Sequence, residues 1–300
     1  MERSVFETIR NIQDIPTLPS VAMEMMTLAK APDVSIKDLS ECIYKDPPLA
    51  AKVLRMANST FYRRGPQEID TLHRAILMMG LNEVINIITS VSVLTLLSPT
   101  DEKGESLREA FRSHCVATGL IARRIDKKIG MRTQGRDFVG GLLHDIGKII
   151  LDEYFHDRFV EACDLSIRKN CTVYEAEMEV LGTTHMEVGD FLARKWGLPP
   201  YLADVNLHHH HPGKAQFKDI TSLISVADLL AKARDLSCGG HVPAFVLKDQ
   251  EAWGNLKKLG YPMDSLDVER ITFEIEDIGD EVKAYISTVA DEPAGEAAHG

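Results

Sequence analysis

Apolar residues recur at helical spacing from Val21 to Val282, and nowhere do several alternating apolar and polar runs sit between Asn-Gly or Asp-Gly turns. The pattern predicts an all-α fold. Ser20 is placed to cap a helix through Val21, Met25 and Leu28, and Ser35 with Asp38 approximates a capping box for Ile36 to Tyr44. Pro47 and Pro48 open a third helix that runs to Asn58, and Arg63, Arg64, Gly65 and Pro66 break the pattern before a Leu72 to Met79 segment. Leu81 to Leu97, the most apolar run, contains Asn82, Glu83 and Asn86; it is too short and too polar to span a bilayer and reads as a buried helix. The polar stretch SPTDEKGES, 98–106, reads as a boundary. It divides an N-terminal helical lobe, 1–100, from a second helical lobe, 101–238, packed against it, with 239–300 as a C-terminal extension.

The second lobe carries polar groups on its apolar stripes. Its first helix presents Leu107, Phe111, His114, Thr118, Ile121 and Ile125 on one face. DFVGGLLHDIGKIILDEYF reads as one helix with Phe138, Leu142, Asp145 and Ile149 aligned. Capping boxes at Thr172/Glu175 and Thr184/Glu187 flank a break at Gly182, which places His185 in a first helical turn. Pro200 suits the start of a helix that reaches the HHHH run at 208–211, and Asp219 is placed to cap a helix from Ile220 to Leu236 with Asp228 on its apolar face. From 238 to 265 the chain is Gly- and Pro-rich and reads as loose. Asp267 then starts an amphipathic helix through Ile271, Ile275, Ile278 and Val282, and the last ten residues are expected to fray.

Composition narrows the function classes. Lys plus Arg number 34 against 45 Asp plus Glu, a net charge of −11, so a general phosphate-neutralising surface is absent and nucleic-acid binding is not expected. The same charge discounts a loose helix-turn-helix likeness between Ser35 and Asn58, and Arg63, Arg64 and Arg74 read as a solvated face. Five cysteines, odd in number and without a CxxC pair, read as reduced thiols. With no leader-like N-terminus, the expected compartment is the cytoplasm and no membrane partner is expected.

His114, His144, Asp145, His185, His209, His210 and Asp228 are candidate metal ligands. Each alone has a bland reading, because a single buried histidine is commonly a hydrogen-bonded core residue. Together they come from separate helices and form the His and carboxylate set that binds borderline divalent cations, with iron or manganese expected first and zinc or nickel as alternatives. Asp145 has two oxygens with which to bridge two cations, His114, His144 and Asp228 completing one site and His185, His209 and His210 the other. A water between the cations would be acidified for in-line attack on phosphorus, with Lys148 meeting a phosphate oxygen; Asp145 and Lys148 are thus the candidate catalytic residues. The rival reading of Lys148 is a surface lysine at a helical turn. His208 and His211 are expected to face solvent.

The segment GLLHDIGK resembles the HD superfamily of metal-dependent phosphohydrolases, whose pattern of an early His, a His-Asp pair, further histidines and a late Asp falls here on the same seven residues. IPTLP, KDPPLAAKVLRMANS, RAILMMG, THMEVGDFLARKWGLP and HHHHP extend the resemblance, over roughly residues 10 to 240, to the HDOD (HD-related output domain) family. That family implies a bacterial signal-transduction module, here with its HD ligands retained, whose partner is an unidentified signalling protein or a nucleotide. The alternative is an active phosphohydrolase, a phosphodiesterase acting on a nucleotide or cyclic dinucleotide. HDIGK is also similar to the HD-GYP phosphodiesterases, but HPGKAQ follows the paired histidines where that group has Gly-Tyr-Pro, and Ala110 occupies the place of an extra Glu ligand. Two cations, and no third, are what the resemblance implies.

Overall fold

The caps and stripes of the sequence are realised as helices, and no strand occurs among the described residues of the computed structural model, which are 4–12, 15, 19–28, 35–63, 65–96 and 105–290. The expected boundary at 98–106 falls largely outside them, as do Arg64 and the ten-residue tail. The chain divides into two units, one made of Thr17–Ser98 with Asp277–Gly300, the other of Met1–Pro16 with Pro99–Glu276.

The first unit contains α2 (Ser20–Leu28), α3 (Ile36–Tyr44), α4 (Pro47–Asn58), α5 (Leu72–Met79), α6 (Leu81–Leu96) and α16 (Ile278–Ala290). Ser35 and Asp38 form the full capping box at α3, and Asp46 caps α4 ahead of its proline pair. Asn58 fixes the loop after α4, accepting the Ile69 amide at 2.8 Å and donating to the Ile69 carbonyl at 2.7 Å. α16 packs on α4 and α6, and its fully buried Tyr285 ring stands edge-on to Phe61 at 5.1 Å. No single helix among the described residues is long and apolar enough to cross a membrane; α5 and α6 would qualify only as a pair, and they meet at a 120° bend.

The second unit contains α1 (Val5–Asn11), α7 (Glu105–Ile129), α8 (Arg136–Leu143), α9 (Gly147–Lys169), α10 (Val173–Leu181), α11 (His185–Lys195), α12 (Pro200–His208), α13 (Lys218–Lys232), α14 (Glu251–Lys258) and α15 (Val268–Glu274). Its centre is α7 against α8 and α13. A Cβ on Gly141 would lie 2.5 Å from the Gly119 nitrogen, so these two helices cross backbone to backbone. Gly141→Ala is therefore expected to cost about 1–3 kcal/mol, because the clash is with main chain that cannot swing away. Urea denaturation reads this, and a stability within error of wild type would contradict the close crossing.

Four elements differ from the sequence expectation. The HDIGK helix is two helices, α8 and α9, separated by a tight turn at 144–146 in which Ile146, Lys148 and Ile149 bond three residues back. Gly147, the first residue of α9, packs directly on α11, since a Cβ there would fall 1.9 Å from the His185 carbonyl oxygen. α13 begins at Lys218, with Asp219 inside its first turn, because the Asp204 carboxylate already holds the Gln216 and Phe217 amides at 3.2 and 2.7 Å. Asp267 caps α15 as expected, but the amphipathic helix stops at Glu274 and resumes as α16, and the loose region contains α14, with Trp253 and Leu256 buried.

Candidate metal centre

The turn between α8 and α9 aims His144 and Asp145 inward, and four other elements deliver the rest. His114 comes from the middle of α7, His185 from the first turn of α11, His209 and His210 from the end of α12, and Asp228 from α13. All seven lie in one cluster. Among them, atoms of Asp145, His185, His209 and His210 form one group within 4.8 Å of one another, and those of His114, His144 and Asp228 form a second. His114, His144, Asp145, His185, His209 and Asp228 are at most 1% exposed.

Asp145 stands between the groups. Its Oδ1 is 3.3 Å from His185 Nε2 and 3.4 Å from His209 Nε2, while its Oδ2 is 3.5 Å from His114 Nε2 and 3.4 Å from His144 Nε2. Asp228 Oδ1 is 3.1 Å from His114 Nε2 and 3.6 Å from His144 Nε2. Metal–ligand bonds of about 2.0–2.3 Å imply separations between neighbouring ligands of about 3.0–3.6 Å, so these spacings are those of ligands sharing cations.

Tautomers make the same point. His114 Nδ1 donates to the Leu236 carbonyl at 2.7 Å, His144 Nδ1 to Gly141 at 2.7 Å, His209 Nδ1 to Asn206 at 3.0 Å, and His185 Nδ1 to the Glu177 carboxylate at 2.6 Å. Carbonyl and carboxylate oxygens only accept, so each Nδ1 carries a proton and each Nε2 is turned to the centre. His114 and His144 bring their Nε2 atoms within 3.2 Å of one another, both beside Asp228 Oδ1, so the two rings converge on one point. Asp145 Oδ1 and the Nε2 atoms of His185, His209 and His210 have no hydrogen-bond partner although buried, which is costly unless something else binds them. The residues fit divalent-cation binding.

Electrostatics follow from burial and from two lysines. Burial pushes His144 down to about 4 and holds His185 and His210 below the usual imidazole range, which favours the neutral, ligating form. Burial also opposes charge on His114, but Asp145 and Asp228 outweigh it and raise that group. The carboxyls of Asp145 and Asp228 sit well below their usual range despite burial, chiefly because Lys148 and Lys232 lie beside them.

Lys148 is neither a surface lysine nor free for a phosphate alone. It is 2% exposed, and its Nζ donates to Asp145 Oδ2 at 2.6 Å and to Cys238 Sγ at 3.2 Å. His208 and His211, expected in solvent, are half-buried; His211 packs edge-on against Tyr174 at 5.3 Å. Three residues of the centre were absent from the sequence reading: Glu177, Lys232 and Cys238. Lys232 Nζ donates to Asp228 Oδ2 at 2.7 Å and was discoverable, since a residue four after a helical ligand shares its face. Glu177 lies on α10, the helix before that of His185, and carried no local signal.

A cavity of about 290 Å³ opens onto one side of the cluster, with Lys148, Tyr174, His210, Asp228, Lys232 and Phe245 in its wall.

Comparison with known proteins agrees with this architecture. The family model of the HDOD domain matches residues 15–212. An uncharacterized protein of Treponema pallidum is 25% identical over 227 residues, which cover 75% of this chain and 43% of that protein. Ribonuclease Y of Thermus thermophilus is 34% identical over 94 residues, 31% of this chain and 12% of that enzyme. The chain thus spans less than half the length of these curated relatives. An HDOD domain protein of unknown function from Geobacter sulfurreducens has the same fold, with a TM-score of 0.79 and 24% identity over 95% of this chain and 96% of that one.

Proposed function

The chain belongs to the HDOD family, and from that premise we propose that it is a member with a working centre, a metal-dependent phosphohydrolase that cleaves a phosphoester. The observation that carries this reading is the cavity, which reaches His210 and Asp228 and has two lysines in its wall. A closed structural site would instead surround its cations with protein on every side.

In this reading His114, His144, Asp228 and Asp145 would hold one cation, and His185, His209, His210 and Asp145 the other. When bound, such a pair supplies Lewis-acid stabilisation of phosphoryl oxygens and acidifies water near neutral pH. The chain's own residues do the rest. Leu236, Gly141, Asn206 and Glu177 lock the imidazole rings in the ligating tautomer. Lys148 and Lys232 keep both carboxylates ionised, and Lys232, in the cavity wall, is placed to orient a phosphate oxygen. Tyr174 and Phe245 supply the apolar part of the wall.

The test is reconstitution with iron or manganese under reducing conditions, followed by assay against phosphomonoesters, simple phosphodiesters and cyclic dinucleotides. Turnover on one class is expected. Lys232→Ala should lower it about 10–100-fold, the value of one charge-assisted hydrogen bond of about 1.5–3 kcal/mol, while both cations stay bound. No turnover with cations demonstrably bound would overturn the hydrolase reading. It would leave the signalling module, which one observation favours: Lys148 is engaged inside the cluster.

A further inference from the structure

The loop after α13 does more than accept a hydrogen bond. Leu236, whose carbonyl orients His114, is itself anchored by its amide to the Ala231 carbonyl at 3.1 Å, and two residues later the chain places Cys238 at 2% exposure. Gly239 and Gly240 follow, both at φ +79°, a backbone that L side chains rarely adopt. A Cβ on Gly239 would lie 2.8 Å from Cys163 Sγ, so the turn is pinned and the direction of the thiol with it.

A buried cysteine ordinarily packs as a small apolar group. Cys238 has charged neighbours instead: its Sγ is 3.5 Å from Asp145 Oδ2 and 3.2 Å from Lys148 Nζ. Ligand atoms of His114, Asp145 and Cys238 lie within 4.8 Å of one another. For a tetrahedral centre with a metal–oxygen bond of about 2.1 Å and a metal–sulfur bond of about 2.3 Å, the expected oxygen–sulfur edge is about 3.6 Å. The Cys238–Asp145 spacing is close to that edge. Independently of the thiol, Asp145 Oδ1 and the Nε2 atoms of His185 and His209 are buried and unpartnered at the same centre.

We propose that Cys238 supplies a thiolate ligand to a cation that it shares with His114 and Asp145 Oδ2. The inference rests on the metal-binding reading above. On coordination the S–H bond breaks, a sulfur–metal bond forms and one proton leaves to solvent. A sulfur donor biases that position toward zinc, iron(II) or cobalt(II) and away from manganese and magnesium, whereas the all-histidine and carboxylate position beside it carries no such bias. The two cations are then chemically unlike.

Cobalt(II) added to the chelator-stripped full chain is the direct probe, because a thiolate ligand gives a near-ultraviolet sulfur-to-cobalt charge-transfer band in addition to the visible ligand-field bands. Wild type should show both sets, and Cys238→Ser and Cys238→Ala should lose the charge-transfer band while keeping ligand-field absorption. X-ray absorption of the zinc-loaded wild type needs no variant and should find a sulfur neighbour at about 2.3 Å. Ligand-field bands without charge transfer in wild type would overturn the thiolate assignment and leave the metal centre standing. A charge-transfer band that persists in both variants would assign the sulfur elsewhere and overturn it equally. Failure of cobalt and zinc to bind at all would overturn this inference together with the metal centre.

Discussion

Asp145→Ala is expected to empty both cation positions in one step and to destabilise the fold by about 3–5 kcal/mol. The metal effect follows from the split of one carboxylate between two groups, with Oδ1 toward His185 and His209 and Oδ2 toward His114 and His144. Without the bridge, two cations would face each other with one negative charge fewer between them. The stability effect has a separate origin in Lys148, an ammonium at 2% exposure that also donates to the Cys238 thiol. Removing its counter-ion leaves a buried unpaired charge. The two effects should separate in the double variant Asp145→Ala with Lys148→Met, which should recover stability but not metal. Elemental analysis and urea denaturation measure them independently. Full metal content in Asp145→Ala would refute the bridge, and unchanged stability would refute the pairing with Lys148.

What the sequence showed and what it hid divide along a physical line. His114, His144, Asp145, His185, His209, His210 and Asp228 were legible because each interrupts an apolar stripe or sits at a cap, and local periodicity records such interruptions. The break between α8 and α9 was not legible, since nothing in HDIGK forbids a continuous helix, and the close contact of Gly147 with the His185 carbonyl that accompanies it spans 38 positions of sequence. Glu177 was invisible for the same reason, its hydrogen bonds to His185 being made by tertiary approach. Cys238 lay in a stretch whose glycines and prolines read as loose. Two of those glycines are required by the tight turn that holds the thiol in place. Composition reports that a segment is irregular, but only packing reports that it is fixed.

The same crowding predicts acid lability once the cations are removed. In the folded chain burial drives His144 from 6.5 to about 4, and His185 and His210 shift in the same direction. Below pH 6.5 the unfolded chain takes up protons that the folded chain refuses, so stability is full above pH 6.5 and falls as the pH drops toward 4. His144 alone contributes about 3 kcal/mol across that window, at about 1.4 kcal/mol per pH unit of displacement. His114, raised by Asp145 and Asp228, works in the opposite sense and offsets part of the loss. The carboxyls of Asp145 and Asp228, held well below their usual range, add stability that is lost only below about pH 4, outside the window. Urea midpoints of the chelated protein should therefore fall steeply between pH 7 and pH 5. Replacing His144 with Asn should flatten that slope, since the group that refuses the proton is gone. An equal slope in the variant would place the acid sensitivity outside the cluster.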